Sequence, residues 1–294
     1  MIAGIDIGGT NTHGVLIDKN RTRAAISIPG NKIDHAIGCY RFLKNESGGK
    51  DFKIVLTGGG SRRIKKSQFP VPFKTVDEIS AIGRGGVFLS GKNDVFVVSI
   101  GTGTAFVSVK KGKPVHAGGT GIGGGTIHGL SRLMLKMPLD DVEKIAKKTV
   151  QNLDITVGDI VDGGIGKIPA NATASNFGKA DEKCGKPEIA ASLLNMIAES
   201  IGVMTYFAAK TVGQEKQILV CGRVAINDVI KNRIMETIRM FGGDASIPKN
   251  AEYCAAIGAA SHRDGGARSP GLGLRSRHGR MDAGAGLEAG ISLL

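Results

Sequence analysis

The feature that most constrains this chain is a pattern that occurs twice: a short apolar strand, a glycine turn, then two further strands joined by tight turns. In the first occurrence, residues 2–7, 12–18 and 22–28 read as strands separated by Gly-Gly-Thr-Asn and Asp-Lys-Asn-Arg. In the second, residues 94–100, 104–110 and 113–116 repeat the arrangement around Gly-Thr-Gly and Lys-Lys-Gly-Lys. Helical spacing follows each triplet, at 31–45 and 77–89 in the first half and at 126–136, 139–150, 187–212, 226–241 and 252–261 in the second. Single apolar strands interrupt these helices at 53–57 and 217–221. Such a repeat predicts a duplicated α/β unit with halves at 1–92 and 93–262.

A chain of 294 residues is long enough for two such units. The last segment, 263–294, stands apart: the preceding chain carries 24 Lys and 10 Arg, whereas this segment has 5 Arg and no Lys. It reads either as a disordered tail or as a frameshifted or appended end, and it is left out of the fold. The net charge of +13 is spread along the chain, and Trp is absent. Nucleic-acid binding, which needs gathered basic residues with aromatic stacking partners, is not expected; a basic surface that attracts phosphate anions is. The four cysteines (Cys39, Cys184, Cys221, Cys254) form no CxxC pair, so neither a zinc site nor a paired redox motif is read. No run approaches the roughly 20 apolar residues of a membrane span. Residues 2–7 read as a first strand rather than a leader, and a cytoplasmic location is expected.

Three glycine loops carry the chemistry. In the first, Gly8, Gly9, Thr10 and Asn11 follow a strand, so the backbone can turn tightly and aim N–H groups at an anion. Asp6, two residues ahead, would repel a phosphate unless it holds Mg2+ against the phosphate oxygens. The plainer reading is a hairpin turn with an aspartate at the strand end. Gly101, Thr102, Gly103 and Thr104 occupy the equivalent place in the second half, so the two loops would clamp one polyphosphate. In the third loop, six of the eight residues 118–125 are glycine, and Gly121, Gly123, Gly124 and Gly125 open a helix without a Walker lysine. Gly222 ends a later strand, where it would pass beneath an adenine ring.

Together these loops resemble the phosphate and adenosine motifs of the actin/hexokinase/Hsp70 superfamily. Within it the chain resembles type II pantothenate kinases, on GIDIGGTNT, on Asp77-Glu78-Ile79 followed by Gly83, on SIGTGTAFV and on AGGTGIGGGTIHGL. Residues 159–161 with Ala172-Thr173-Ala174-Ser175-Asn176-Phe177-Gly178, and the 252–258 segment, extend the resemblance over 1–262. It implies a ribonuclease H-like (actin/hexokinase-type) ATPase fold with a central nucleotide cleft, a homodimer, and phosphorylation of pantothenate by Mg·ATP, the first step towards coenzyme A. The family's catalytic glutamate falls on Glu78, with Asp77 as its rival; both also suit a helix start, where acidic side chains cap and complement the dipole.

One departure stands out. Where the family has an arginine that steadies the transferring phosphoryl group, this chain has His116, which lacks the permanent charge and fork of donors. Other readings of the same fold are an activator ATPase of the 2-hydroxyacyl-CoA dehydratase or benzoyl-CoA reductase type, a sugar kinase, and an ATP- or coenzyme A-binding sensor. The first needs cluster cysteines near the glycine loops, and the second and third loops carry none. The apolar stretch 189–212 is expected to supply the dimer surface.

Overall fold

The computed structural model describes residues 1–149, 153–166 and 168–261. The tail and position 150 lie outside the described residues, and the helix expected over 139–150 ends earlier, at Ala146.

Two five-stranded sheets carry the fold. In the first, β1 (Ile2–Ile7), β2 (Asn11–Asp18) and β3 (Arg21–Pro29) form an antiparallel meander. Helix α1 (Ile33–Glu46) crosses over to β4 (Lys53–Thr57), which pairs parallel to β1, and β5 (Lys74–Thr75) joins parallel beyond it. Helix α2 (Glu78–Ser90) closes this half, and the sheet order is β3-β2-β1-β4-β5.

The second half repeats the plan with a longer insertion. The meander is β6 (Val95–Ile100), β7 (Thr104–Lys110) and β8 (Lys113–Thr120). Then come α3 (Gly124–Leu130), a π-helical turn at Ser131–Leu135, α4 (Leu139–Ala146), β9 (Ile155–Thr156), α5 (Val157–Val161), β10 (Thr173–Ser175) and α6 (Lys186–Thr211). Next, β11 (Ile218–Cys221) pairs parallel to β6, α7 (Asp228–Met240) follows, β12 (Ala245–Ser246) pairs parallel to β11, and α8 (Cys254–Ala260) closes. The order β12-β11-β6-β7-β8 has the first sheet's topology: a meander on one side of the leading strand, two parallel strands on the other. The duplication expected from the repeated triplet is therefore present.

Strand alternation divides the side chains between two faces. In β1, Ala3, Ile5 and Ile7 pack with Leu43 of α1 and Leu56 of β4, which leaves Gly4 and Asp6 on the opposite face. In β6, Phe96, Val98 and Ile100 join the largest core with Leu193 and Ile197 of α6, while Val95 and Val97 meet Ile82 of α2. The halves also exchange their closing helices. Helix α2 lies on the second sheet, and α8 lies on the first, where Ala256 and Ile257 pack on Val15. The two helices cross in near-contact because their interface is glycine. A Cβ on Gly258 would overlap the Ala81 carbonyl oxygen, and one on Gly85 would overlap that of Cys254.

Several expected boundaries moved. Strand β8 runs four residues past 116, through a bulge opposite Phe106 and Val107. The helix expected over 126–136 starts at Gly124 and loosens into the π turn, so its leading glycines are helical rather than loop. Strands β5, β9, β10 and β12 are two or three residues long, too short to show a period. Helix α6 departs from the expectation that no apolar run is long enough for a membrane span: it is long and apolar enough by length and composition. Yet 56% of its most apolar window is buried, in the core between α4 and α7.

Candidate active site

The two glycine turns at the ends of β1 and β6 meet. A Cβ on Gly9 would strike the side chain of Thr102, so the first and second loops face each other at the junction of the sheets. The first loop is held from below. Gly8 N–H donates to the Asn11 carbonyl (3.0 Å), Gly30 N–H donates to the Thr10 carbonyl (2.8 Å), and Asn31 Nδ2 donates to the Gly9 carbonyl (2.7 Å). Asn31 was not singled out from sequence; it lies 22 residues from its partner, beyond the reach of any local motif.

The second and third loops are laced together. Gly124 N–H donates to the Gly101 carbonyl and Gly125 N–H to the Thr102 carbonyl, both at 2.8 Å, and Thr104 Oγ1 donates to the Ile122 carbonyl at 2.8 Å. Gly123 N–H is taken by Thr126 Oγ1 at 3.2 Å. These amides are therefore not available to an anion, which corrects the expectation of an anion site at the start of α3. Gly123, Gly124 and Gly125 brace the second loop, and a Cβ on Gly123 would collide with Gly103. Gly121 faces open space. Gly222 stands at the end of β11 with φ 97°, pressed so closely on the Ile100 carbonyl that only glycine fits. Val224, two residues on, reaches the backbone of Gly124, which brings the Gly222 turn to the second and third loops.

Asp6 occupies the floor. It is partly buried, its Oδ1 is shut off from solvent, and that atom accepts no hydrogen bond among the described residues. Burial first, and the negative charge of Glu78 second, push its carboxyl up to about 7. A buried, uncompensated carboxylate oxygen beside phosphate-type loops fits Mg2+, which keeps most of its waters and takes one or two protein carboxylates.

Glu78 is the first residue of α2, exposed just beyond the short strand β5 and close enough to Asp6 for its charge to raise that carboxyl. Its neighbour does different work. Asp77 is the helix cap: its Oδ1 accepts the Ser80 N–H at 2.8 Å. Burial pulls the Asp77 carboxyl up, but the Ser80 hydrogen bonds and the charge of Arg84 leave it below the usual range. His116 is an exposed residue of β8. Pro114, two residues earlier on the same strand face, packs against Gly83 of α2. The face that carries His116 is thus the one α2 covers.

A polar cluster behind the loops was also missed from sequence. His13, the register partner of Asp6 on β2, stacks edge-on against Tyr253 at 5.6 Å between ring centres. Burial, with Arg223 next, pulls its imidazole down to about 4, so it is neutral. Only the three-dimensional exchange of α8 brings residues 13, 223 and 253 together.

This arrangement, two copies of one sheet topology whose glycine turns meet over a buried aspartate, defines an ATPase fold of the actin/hexokinase type. Solved structures agree. The activator of 2-hydroxyisocaproyl-CoA dehydratase from Clostridium difficile, with bound ADPNP, superposes with a TM-score of 0.64 at 17% identity, covering 88% of this chain and 92% of that one. A ROK hexokinase from Thermus thermophilus gives 0.54 at 14% identity, over 88% and 97%. At such identities these likenesses establish the fold alone. Sequence goes further. The Fumble family profile matches residues 94–262. A type II pantothenate kinase from Bacillus anthracis is 31% identical over 245 residues, 78% of this chain and 87% of the relative. The chain belongs to the type II pantothenate kinase family.

Proposed function

We propose that this protein transfers the γ-phosphoryl group of ATP to the primary hydroxyl of pantothenate, giving 4′-phosphopantothenate and ADP. The observation that supports this reading is the charge of Glu78 acting on the buried carboxyl of Asp6, whose strand runs into the first glycine loop, in a chain of the type II pantothenate kinase family. Halves 1–92 and 93–262, with α2 and α8 exchanged between them, form the two lobes that close on the substrates.

Gly8 and Gly101 spend their own N–H groups on the Asn11 and Gly103 carbonyls and so shape the loops Gly8–Asn11 and Gly101–Thr104, whose remaining backbone amides hold the phosphate chain, and Gly222 leaves room for the adenine. Asp6 holds Mg2+, which when bound neutralises charge on the phosphate oxygens. Glu78 takes the proton of the acceptor hydroxyl as its oxygen bonds to the γ-phosphorus and the bond to the ADP oxygen breaks. His116, on the β8 face that α2 covers, takes the place of the family's arginine but lacks its fixed charge, so His116→Arg is expected to raise turnover with pantothenate.

The working form is a cytoplasmic homodimer. The expected dimer helix α6 is largely consumed by its own lobe, whereas Ile160, Val161, Ile165 and Ile168 stand exposed together on and after α5. With Phe207 of α6 itself, they are exposed apolar surface available for a second copy. Light scattering at micromolar concentration should report a dimer; a monomer would remove this part of the reading.

A phosphorylation screen with pantothenate, pantetheine, simple sugars and no acceptor tests the whole. Product with pantothenate is expected. Equal ATP hydrolysis with and without acceptor would point to an activator ATPase instead, and product with sugars alone to a sugar kinase.

A further inference from the structure

The three parallel strands of the first sheet end side by side. In the order β1-β4-β5, their C-terminal ends deliver Asp6 and the first glycine loop, then the turn Gly58–Arg63, then Glu78. Thr57 is the register partner of Asp6, and Leu56 that of Thr75, so the middle turn lies between the two carboxylates. Neighbouring strands are about 4.8 Å apart, so the row spans about 10 Å. An acceptor whose hydroxyl rests at Glu78 and whose chain runs outward past the middle turn comes within reach of the side chains that turn carries.

That turn is rigid and strongly basic. Gly58, at φ 83°, sits against Asp6 Oδ1 and the Ile7 carbonyl, and a 3-10 turn then runs over Gly59–Arg63. Ser61 is buried and donates through Oγ to the Gly58 carbonyl at 2.7 Å; Ile64 packs into the core of the first lobe. Between these two anchors Arg62 and Arg63 are forced outward, and Lys65 and Lys66 follow, all four exposed. Their side chains make no ion pair or hydrogen bond among the described residues. A basic run elsewhere on the surface would be a solvated face. Here it is fixed beside the two groups that bind metal and accept the proton. It also has a counterpart. In the second lobe, Gly222 (φ 97°, ψ 165°) repeats Gly58 (φ 83°, ψ 161°), each pressed on the carbonyl of the isoleucine that ends the neighbouring leading strand, Ile100 or Ile7. Each glycine starts a 3-10 turn, but the turn at Arg223–Ile226 carries one cation in four residues and the turn at Gly59–Arg63 ends in two. The symmetric position has been charged on the acceptor side.

We propose that Arg62 and Arg63 select the acceptor by its negative charge, forming bidentate hydrogen bonds to the carboxylate at the end remote from the reacting hydroxyl. This deepens the kinase reading and rests on it. Guanidinium groups suit the task because their planar fork matches a carboxylate, and lysine would not substitute fully.

The test compares the full-length protein with Arg62→Gln/Arg63→Gln, using pantothenate and its neutral analogue pantetheine as acceptors. The double variant should raise KM for pantothenate by about 10- to 100-fold, the range for losing charge-assisted hydrogen bonds, with kcat and the KM for ATP unchanged. KM for pantetheine should move by less than about twofold, and Arg62→Lys/Arg63→Lys should recover only part of the loss. Equal losses for both acceptors, or none, would overturn the proposal. A raised KM for ATP in place of pantothenate would also overturn it, assigning the pair to nucleotide phosphates. Calorimetric binding of both acceptors in the presence of a non-hydrolysable ATP analogue separates this from the kinase reading. Should the parent protein not turn over pantothenate, the function proposed above fails. Charge-selective binding that the double variant loses would still uphold the clamp, and its absence in the parent would overturn it.

Discussion

The two lobes share one topology and divide the chemistry unequally. At the end of β1 stands Asp6, and at the matching place on β6 stands Ser99. At the end of β4 is a turn with two arginines, whereas the turn after β11 has a glycine, one arginine and apolar residues. Beyond β5 comes Glu78, and beyond β12 comes the apolar helix α8. Under the proposed function, one lobe would supply the charges that act on the acceptor and the metal, and the other would offer backbone and threonine to a polyphosphate. A duplicated fold is thereby freed to specialise. On that reading, the copy with neutral ends would bind phosphate without repelling it, and the copy with carboxylates would tolerate them because a cation and a proton relieve the charge.

The largest expected effect breaks the acidic side alone. Glu78→Gln should lower kcat by about 10²–10⁴-fold, the usual contribution of a positioned base. Mg·ATP binding should stay nearly intact, since it falls to Asp6 and the loops. A stopped-time assay with saturating pantothenate reads the first, calorimetry the second. Full activity in the variant would return the base role to Asp77 or a water.

Next comes the pair Asp6→Asn and Ser99→Ala. The first should weaken Mg-dependent nucleotide binding by about 10- to 100-fold, and the second should change it little. Equivalent losses would mean that the lobes are not specialised at this position. Asp6 also has a pH signature. Its carboxyl is raised to about 7 from 3.8, so the unliganded folded protein holds a proton that the unfolded chain has already released. The stability this supplies is full below 3.8 and is lost as pH rises through about 7. Relative to its parent, the melting temperature of unliganded Asp6→Asn should therefore climb between pH 4 and 7 and level off above. A constant offset would show that Asp6 titrates normally.

Gly258→Ala tests the seam between the lobes rather than either of them. The added methyl would overlap the Ala81 carbonyl oxygen, so the crossing of α2 and α8 must spread, at a cost of about 1–3 kcal/mol. Because α2 begins at Glu78, turnover should fall alongside the melting temperature. Unchanged stability would show that the helices have slack.

Much of this architecture is legible in the sequence, because glycine turns and apolar strands are local signals. The triplets at 2–28 and 94–116, the phosphate loops and the helix start at Asp77 all follow from residues a few positions apart. The exchange of α2 and α8 has no local signature, since it depends on a contact between Gly258 and Ala81, 177 positions distant. His13, Arg223 and Tyr253 were invisible for the same reason. The likeness of Leu56-Thr57-Gly58 to Val220-Cys221-Gly222 was in reach, and comparing the halves residue by residue would have exposed Gly58 as the partner of Gly222. The bracing role of Gly124 and Gly125 was not, because a glycine run looks the same whether its amides face a ligand or another loop.

The smallest effect separates two adjacent acids. Asp77 sits at φ −65° and ψ 151°, outside the helix, with its carboxylate turned back on the Ser80 amide; Glu78 is already helical, and its charge acts on Asp6. Asp77→Ala should cost about 1 kcal/mol of stability, the usual loss of a capping side chain, and change kcat by less than about threefold. Because the Asp77 carboxyl lies below its ordinary value, its stabilisation is present above pH 3.8 and fades as pH falls through the folded-state value. The gap between parent and variant should thus close in acid. Asp77→Asn, which caps equally well, should restore most of the loss. Glu78→Gln should show the opposite pattern: an unchanged melting curve and a collapsed turnover. If Asp77→Ala instead abolished turnover while melting like its parent, the two acids would have to exchange roles, and the acidic end of the first lobe would need to be redrawn around Asp77.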